Sequence, residues 1–479
     1  RYADVPRAAL WTFSRERGPQ ANYLVDMRGA ASVANLYGKK YVAAEMMTSL
    51  LSPWAFGPRD LKRVADLAFA SGINLPVIHT SVHVPIEDRK PGLTLSIFGQ
   101  HFNRNEAWAE LAKPWIEYLA RNAYMLQQGR NVADIAWFYG EEAPLTGLYS
   151  DKPVPNAPRS FGYDFVNADA LMGALRDAEY GGWFATADAQ DNDKAAYLHA
   201  FVALAASSAV VARRPGAQAL LSEAIDIIDR YFWSEEEGAL RESFNRDWSV
   251  EEAYRGANSN MHATEAFLAL ADVTGDSRWL ERALRIVERV IHQHGAANEH
   301  LVIEHFDRHW RPLRDYNQAN PADGFRPFGT TPGHGFEWAR LLLHLEAARL
   351  KAGLVTPDWL LSDARQLFAN NCRYAWEVDG APGLVYTLDW QQHPLVRQRL
   401  HWVHCEASAA ASALLQRTGE GEYATWYRRL WDYSECHLID RVDGSWHHEL
   451  DVQNRPSSQI WGGKPDLYHA WQAVLIPRL

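Results

Sequence analysis

Residues 258–265 of the chain read NSNMHATE, and residues 331–338 read TPGHGFEW. In both stretches a histidine precedes a glutamate by three positions, which places the two side chains on one face of a helix. Each stretch also opens a longer segment whose apolar residues recur with helical spacing. The fold of the C-terminal part of the chain follows from how often this arrangement recurs.

From about residue 168 onward the sequence is patterned almost entirely as helices, separated by breaks such as Pro332-Gly333 and Gly419. The ten predicted helices cover 168–177, 194–213, 217–232, 261–274, 278–293, 334–352, 358–375, 401–417, 421–438 and 468–476. The ten helices form five successive pairs. One helix of each pair has a histidine near its start, and the five histidines are His199, His262, His334, His404 and His469. Such a recurrence is typical of helical hairpins that close into a ring, where the histidine-bearing ends would converge on one pocket.

The first 165 residues carry a different pattern, in which short apolar runs alternate with amphipathic stretches. Strands are predicted at 41–44, 74–78 and 132–138, and helices at 58–71 and 105–129. Alternating strands and helices are typical of parallel βα units. Three strands are too few for a closed eight-stranded barrel.

Composition excludes several classes of function. The chain has 479 residues and a net charge of −11, so nothing indicates a basic surface for nucleic acid or anionic lipid. No apolar run approaches the roughly 20 residues of a membrane span. The three cysteines are widely spaced, without a CxxC pair, which argues against a disulfide framework or a zinc site. A small molecule is therefore the expected partner, and a cytoplasmic location is expected.

The recurring histidines are candidates for acid–base chemistry. A neutral imidazole can remove a proton near pH 7, and a neighbouring glutamate can select its tautomer. Further imidazoles and carboxylates occur at His401, His404, Glu406 and Asp466. The sequence contains neither HExxH nor another compact ligand motif, so no metal site is predicted.

Seven motifs follow one another in order between about 170 and 479, among them ALRDAEYGGWFA (174–185), YRGANSNMHATEAFLAL (254–270), FRPFGTTPGHGFEW (325–338) and GGKPDLYHAWQAVLIPRL (462–479). They resemble the N-acylglucosamine 2-epimerase superfamily, in particular its bacterial mannose and sulfoquinovose isomerase branch. The resemblance implies an (α/α)6 barrel and cofactor-free isomerisation of a sugar between aldose and ketose.

The same resemblance implies roles for individual residues. His469 corresponds to the base that moves a proton between C2 and C1 through an enediol, and His334 to the acid/base that opens the sugar ring. His262 is the third catalytic histidine. The residues implied to position or polarise the open chain are, with His262, Asn258, Glu265, Arg326 and Glu337.

One feature of that family is not found in the sequence. The family begins with two more helices, the second of which carries an active-site arginine in a W-x-x-(A/T)-R-M-type motif, and no such motif precedes residue 168. We therefore expect an incomplete (α/α)6 barrel that lacks its first two helices.

The N-terminal motifs include GAASVANLYGKKYVAAEMMTS (29–49), PRDLKRVADLAFASGINLPVIHTSVHVP (58–85) and YLARNAYMLQQGRNVADIAWFYGEE (118–142). They resemble the catalytic domain of the α-L-rhamnosidases of glycoside hydrolase family 106. That family implies a (β/α)8 barrel and an inverting cleavage that uses two carboxylates. Glu45, at the end of a predicted strand, corresponds to the general acid, and Glu141 or Glu142 to the general base.

The predicted fold is therefore mainly α. A partial parallel βα segment resembling half a TIM barrel (1–167) precedes an incomplete (α/α)6 domain (168–479). Three functions follow: a sugar aldose–ketose isomerase of the mannose/fructose type, an inverting α-L-rhamnosidase, or a non-catalytic composite of two incomplete domains. The isomerase is favoured because its resemblance covers nearly two thirds of the chain and includes three motif-borne histidines.

Overall fold

The computed structural model describes residues 3–129, 131–133, 135–138, 162–167, 175–185, 193–465 and 467–478. Two compact units are present, one reaching to Arg176 and the other spanning Asp177–Leu479. Glu141, Glu142 and most of the predicted helix 168–177 lie outside the described residues. Within the described part of the chain, no helix is both long and apolar enough to cross a membrane.

The first unit is built on parallel strands. The strands β1 (Arg7–Trp11), β2 (Ala43–Thr48) and β3 (Leu75–Ile78) form one parallel sheet in that order, and β4 (Ile135–Phe138) pairs in parallel with β5 (Tyr163–Val166). The predicted parallel βα pattern is therefore confirmed for the strands at 41–44, 74–78 and 132–138, although β1 and β5 are additional.

Three helices accompany these strands: α1 (Ala21–Leu36), α2 (Pro58–Ala70) and α3 (Lys113–Leu126). The predicted helices at 58–71 and 105–129 correspond to α2 and α3. The additional helix α1 packs against β1 and β5. Ser32 and Asn35 of α1 donate hydrogen bonds to the Asp164 carboxylate of β5, at 3.0 and 2.9 Å, which fixes this contact.

The second unit is mainly helical. Its described helices are α4 (Ala196–Val211), α5 (Ala217–Ile227), α6 (Ala257–Thr274), α7 (Arg278–Val287), α8 (Pro332–Lys351), α9 (Trp359–Ala375), α10 (His401–Thr418), α11 (Gly421–Tyr433) and α12 (Tyr468–Leu475). Nine of the ten predicted helices are thereby confirmed. The even-numbered helices pack against one another in succession, from α4 to α12, and form an inner layer.

Burial patterns explain which helices lie inside. The outer helix α7 buries Trp279, Leu280, Ala283, Ile286 and Val287, which lie on one face, and leaves its charged residues on the other. In the inner helix α8, by contrast, every residue from Pro332 to Leu343 is buried. Polar side chains on the first turns of inner helices are therefore enclosed by protein, where they need partners.

Short strands connect the loops to the starts of inner helices. β6 (Lys194–Ala195), β7 (Tyr254–Gly256) and β9 (Arg399–Leu400) directly precede α4, α6 and α10, and each pairs with a strand from a loop. β7 pairs with β8 (His305–Asp307), and the N–H of Ala257 donates to the carbonyl of Glu304 at 2.9 Å. This pairing brings loop side chains to the same ends of the inner helices that carry the predicted site residues.

Candidate active site

Two of the predicted catalytic histidines are bonded to buried carboxylates. His469, the second residue of α12, has its Nδ1 2.8 Å from Oε1 of Glu406 on α10. His334, the third residue of α8, has its Nδ1 2.9 Å from Oε1 of Glu304. Because an ionised carboxylate only accepts hydrogen bonds, Nδ1 carries the hydrogen in each neutral ring and Nε2 remains a proton acceptor.

Both imidazoles pack against one tryptophan. The ring centroid of Trp402 is 5.2 Å from that of His334 and 5.7 Å from that of His469. His401, one residue earlier, is buried, and neither of its ring nitrogens has a hydrogen-bond partner among the described residues. Burial, together with the nearby His469 imidazole, lowers the pKa of His401 well below its usual value. His334, Trp402 and His469 thus belong to one site.

His262 is also part of this end of the inner layer. Its Nδ1 lies 3.6 Å from Oε2 of Glu265 and 3.8 Å from Oε1 of Glu337. The rings of Tyr197 and Phe201 pack against the imidazole, with centroid distances of 5.1 and 4.7 Å. Burial lowers the pKa of His262, although Glu265 opposes the shift. A lowered pKa keeps this imidazole neutral at pH 7.

A buried arginine that is absent from the predicted site residues connects the glutamates. The guanidinium of Arg340 lies 3.1 Å from Oε2 of Glu406, 3.4 Å from Oε1 of Glu337 and 3.7 Å from Oε1 of Glu265. Tyr468 Oη donates a hydrogen bond to Glu265. His334, Glu337 and Arg340 recur every three residues in the first half of α8, which is otherwise apolar up to Leu343, and that spacing is the sequence signal for Arg340.

The three glutamates around Arg340 do not share one protonation state. Burial, followed by the negative charge of Glu406, raises the pKa of Glu337 well above its usual range. Burial acts in the same direction on Glu265, but the neighbouring His262 imidazole and the charge of Arg340 hold its pKa low. For Glu406 burial is likewise outweighed, by Arg340 and His469, so its pKa is lowered. Of the three carboxyl groups, Glu337 is therefore the one that binds a proton most readily.

Arg326 and Asn258 are the remaining predicted site residues of the second unit. The guanidinium of Arg326 lies 3.0 Å from Oε1 of Glu252, 3.6 Å from Oε1 of Glu242 and 4.2 Å from the ring centroid of Tyr254. Its charge is thus compensated by two carboxylates. Asn258, the second residue of α6, has a buried Oδ1 with no hydrogen-bond partner in the described structure.

The other two recurring histidines, His199 and His404, do not share this chemistry. In His199 and His404, Nδ1 lies 2.7 and 2.9 Å from the carbonyl oxygen four residues earlier. Their Nε2 atoms accept backbone N–H bonds from preceding loops. In α6, Asn260 makes the corresponding bonds, accepting from the N–H of Leu240 and donating to the carbonyl of Gly256. These residues fasten loops to helix starts.

The histidines and glutamates around Arg340 could also be considered as metal ligands. His262, Glu265 and Glu337, and likewise Glu337, Glu406 and His469, bring side-chain donor atoms within 4.8 Å of one another. Arg340 already contacts all three glutamates of these groups. A cation would have to displace the guanidinium, so the arrangement favours proton transfer over metal binding.

The glycosidase residues are placed differently from the prediction. Glu45 is the third residue of β2, which continues to Thr48, so its expected place at the end of a strand is wrong. Its Oε2 lies 3.6 Å from the guanidinium of Arg7, and its side chain is 38% exposed. At the carboxyl end of the sheet, Thr48 Oγ1 instead lies 3.2 Å from His79 Nδ1. Glu141 and Glu142 lie outside the described residues.

Comparisons with known families agree with both resemblances. The model of the N-acylglucosamine 2-epimerase family matches residues 166–473, and the model of the alpha-L-rhamnosidase family matches residues 1–195. Both predicted resemblances are therefore confirmed.

Individual relatives point the same way for the second unit. A D-mannose isomerase of Pseudomonas cannabina pv. alisalensis is 71% identical over 312 residues, covering 65% of this chain and 75% of the relative. A D-mannose isomerase of Thermobifida fusca is 50% identical over 394 residues, covering 76% of this chain and 96% of the relative. A crystal structure of D-mannose isomerase superposes with a TM-score of 0.59 at 28% identity, covering 64% of this chain and 79% of that one. Structural neighbours of this type are (α/α)6 barrels.

Proposed function

This chain belongs to the N-acylglucosamine 2-epimerase family and is an enzyme of the sugar isomerase and epimerase class, and on that premise we propose that it interconverts D-mannose and D-fructose. The observation that supports this proposal most directly is that His334 and His469 both pack against Trp402, each with Nδ1 bonded to a buried carboxylate. Two such bases meet the two proton-transfer tasks of an aldose–ketose isomerisation, ring opening and transfer between carbons.

Ring opening is assigned to His334. Its Nε2 accepts the proton of the anomeric hydroxyl as the C1–O5 bond breaks, and the ring oxygen O5 takes up a proton in exchange. The bonded Glu304 carboxylate stabilises the imidazolium that forms meanwhile. The product is the open-chain aldehyde, in which the C2 proton is acidic enough to be removed.

The isomerisation itself is assigned to His469. Nε2 removes the proton from C2, the electron pair forms the C1–C2 double bond, and O1 takes up a proton to give an enediol. Return of a proton to C1 and loss of the O2 proton then yield the ketose. Atoms and electrons balance without an external oxidant or reductant, and one imidazole can act in both directions near neutral pH.

The other residues are assigned to positioning and polarisation of the open chain. The unpartnered Oδ1 of Asn258 offers an acceptor for a sugar hydroxyl. A protonated Glu337 offers a donor, and the neutral His262 lies 3.8 Å from it. With Glu265 and the charged Arg326, these groups would hold the open chain in place. Protonated Glu337 and Arg326 would stabilise the negative charge that develops on the enediol oxygens.

We also propose that the ring of inner helices is incomplete, within a domain spanning 168–479 that follows a partial rhamnosidase-like segment, 1–167. Two helices of the inner layer support this. Residues 196–211, AYLHAFVALAASSAVV, form α4 without a single charged side chain, a composition typical of a helix covered on all sides. On α12, Trp471 is 63% exposed and Val474 and Leu475 are also exposed.

A chimera tests the incomplete ring. The segment of the Pseudomonas cannabina relative that precedes its match to residue 166 would replace residues 1–165 of this chain. We expect the chimera to unfold at higher temperature than residues 166–479 alone and to bury Trp471, measured by quenching of Trp fluorescence against a Trp471→Phe control. An unchanged unfolding temperature and unchanged quenching would contradict the proposal.

The catalytic proposal is tested by direct assay. The chain is incubated with D-mannose or D-fructose in D2O, the sugars are separated by chromatography, and deuterium at C1 and C2 is read by NMR. Interconversion with deuterium incorporation is expected, and both should disappear in His469→Asn. If neither sugar changes and no deuterium enters, D-mannose isomerisation is excluded.

A second candidate function rests on the match of residues 1–195 to the alpha-L-rhamnosidase family. In that alternative Glu45 is the general acid and Glu141 or Glu142 the general base of an inverting hydrolysis. Release of the aryl group from an aryl α-L-rhamnoside tests it, and Glu45→Gln should abolish that release. Inactivity in both assays together with cooperative thermal unfolding would instead indicate the non-catalytic composite.

A further inference from the structure

The buried contacts of Arg340 extend to the proposed base. Oε2 of Glu406 lies 3.1 Å from the Arg340 guanidinium, while Oε1 of the same carboxylate lies 2.8 Å from Nδ1 of His469. Both Arg340 and Glu406 are about 1% exposed or less. The arginine, the glutamate and the histidine therefore form a continuous chain of contacts from the interior of α8 to the proposed base.

The charges in this cluster are unevenly distributed. Among the described residues, Arg340 provides the single Arg or Lys group within 4 Å of the carboxylates of Glu265, Glu337 and Glu406. One positive charge thus faces three carboxyl groups in an enclosed region, where interactions between charges are stronger than in water. The raised pKa of Glu337 favours its protonated form, so Glu265 and Glu406 are the carboxylates that compete for the guanidinium.

We propose that Arg340 is a positioning residue that acts through Glu406, holding this carboxylate ionised against Nδ1 of His469 so that Nε2 stays free of a proton at neutral pH. The inference rests on the proposed function of His469 as the base.

Without the arginine charge, the pair formed by Glu406 and His469 would take up a further proton at higher pH, whichever of the two groups carries it. The base would then be blocked over the range in which the enzyme works. Other titratable groups also face the pair, and they are the same in wild-type protein and in variants of Arg340. They are His401 on α10, Glu337 and His344 on α8, Glu265 and His262 on α6, and Tyr468 on α12.

The pH profile of kcat/KM tests this in Arg340→Met, Arg340→Lys and wild-type protein. We expect the acid limb of Arg340→Met to move up by about one pH unit or more, so that kcat/KM falls roughly tenfold near pH 6 and only about threefold near pH 9. Arg340→Lys retains the charge and should restore most of the acid limb. General structural damage would lower both ends of the profile equally.

A second pair of variants tests the route through Glu406. In Glu406→Gln the acid limb should move down, because the imidazolium loses its negative partner. Adding Arg340→Met to Glu406→Gln should then shift the limb by less than half of the shift seen in the wild-type background. An Arg340→Met profile that superimposes on the wild type, or an equal shift in both backgrounds, overturns the proposal.

A replacement variant and an NMR titration keep the role of Arg340 testable. If Arg340→Met does not unfold cooperatively, Arg340→Gln takes its place, since it removes the charge but keeps hydrogen-bond donors. The titration of His469 is also followed by NMR of protein with labelled histidine, assigned by comparison with His469→Asn. If the wild type isomerises no sugar, the proposed function fails. The NMR midpoint, expected about one pH unit higher in Arg340→Met, still decides the role of Arg340.

Discussion

The starts of the inner helices fall into two groups that look alike in sequence and differ in chemistry. At α8 and α12, His334 and His469 donate from Nδ1 to carboxylates, which leaves Nε2 as the proton acceptor. At α4 and α10, His199 and His404 have both ring nitrogens bonded to the backbone. The comparison teaches that the partner of Nδ1, rather than the position of the histidine in the helix, separates a base from a structural residue.

The largest effect is expected at a carboxylate-bonded histidine. His469→Asn should lower kcat for sugar isomerisation by about 10³-fold, because the base that moves the C2 proton is removed while the fold is kept. The matched control is His393→Asn, since His393 has a 75% exposed side chain outside the inner layer. Retention of more than about a tenth of wild-type kcat in His469→Asn would contradict the assignment.

Next in size is the effect of the partner carboxylate. Glu304→Gln should lower kcat about 10²-fold, because an amide can donate to Nδ1 of His334 and thereby place the ring hydrogen on Nε2. Glu346→Gln is the control. Glu346 is a buried glutamate twelve residues after His334 on α8, and its carboxylate is paired with Arg417 at 2.6 Å. Equal kinetic losses in the two variants would show that His334 does not need its carboxylate.

The backbone-bonded group should respond in stability instead of activity. His404→Ala leaves the N–H of Leu384 without its acceptor, and we expect a loss of about 1–3 kcal/mol in the free energy of unfolding. His404→Asn should lose less, because Asn260 makes the corresponding bonds in α6. Denaturant unfolding measures both losses, while kcat of each folded variant stays near the wild-type value. A large fall in kcat without a loss of stability would erase the distinction between the two groups.

The smallest expected effect is a change in the free energy of unfolding with pH. Burial lowers the pKa of His199 to about 4 and that of His404 to about 3, so both remain neutral in the folded state while they protonate in the unfolded chain. The unfolded state therefore binds more protons below about pH 6.5, and stability falls as the pH falls. Each histidine should cost about 2 kcal/mol between pH 7 and 5.

Unfolding free energies at the two pH values check this slope. In His404→Asn the pH-dependent loss should shrink by the contribution of one histidine, since asparagine does not titrate. A slope identical to that of the wild type would mean that His404 is protonated in the folded protein.

Much of the helical unit could be predicted from the sequence, because helical periodicity and Gly and Pro breaks are local signals. The ends of the predicted helices at 217–232, 278–293 and 421–438 extend beyond α5, α7 and α11, since each continues into a wider π-helical turn. The helix α1 escaped prediction because its buried residues are mostly small, and alanines scattered among other residues give a weak periodic signal.

The site was predictable only in part, because only some of its contacts join residues that are close together in the chain. His262, Glu265, His334 and Glu337 are three residues apart in pairs, so their common helix faces follow from the sequence alone. The bonds from His334 to Glu304 and from His469 to Glu406 join residues 30 and 63 positions apart. No local pattern encodes a contact of that separation.

The sequence by itself therefore determined most of the helices, three of the five described strands of the first unit and the motifs that carry the family relationship, since each depends on residues close together in the chain. The tertiary structure alone decided which histidines are bases and which fasten loops, because a hydrogen-bond partner is chosen by packing between distant segments. It also placed Arg340 among three glutamates, where the enclosed surroundings decide which carboxyl keeps its proton.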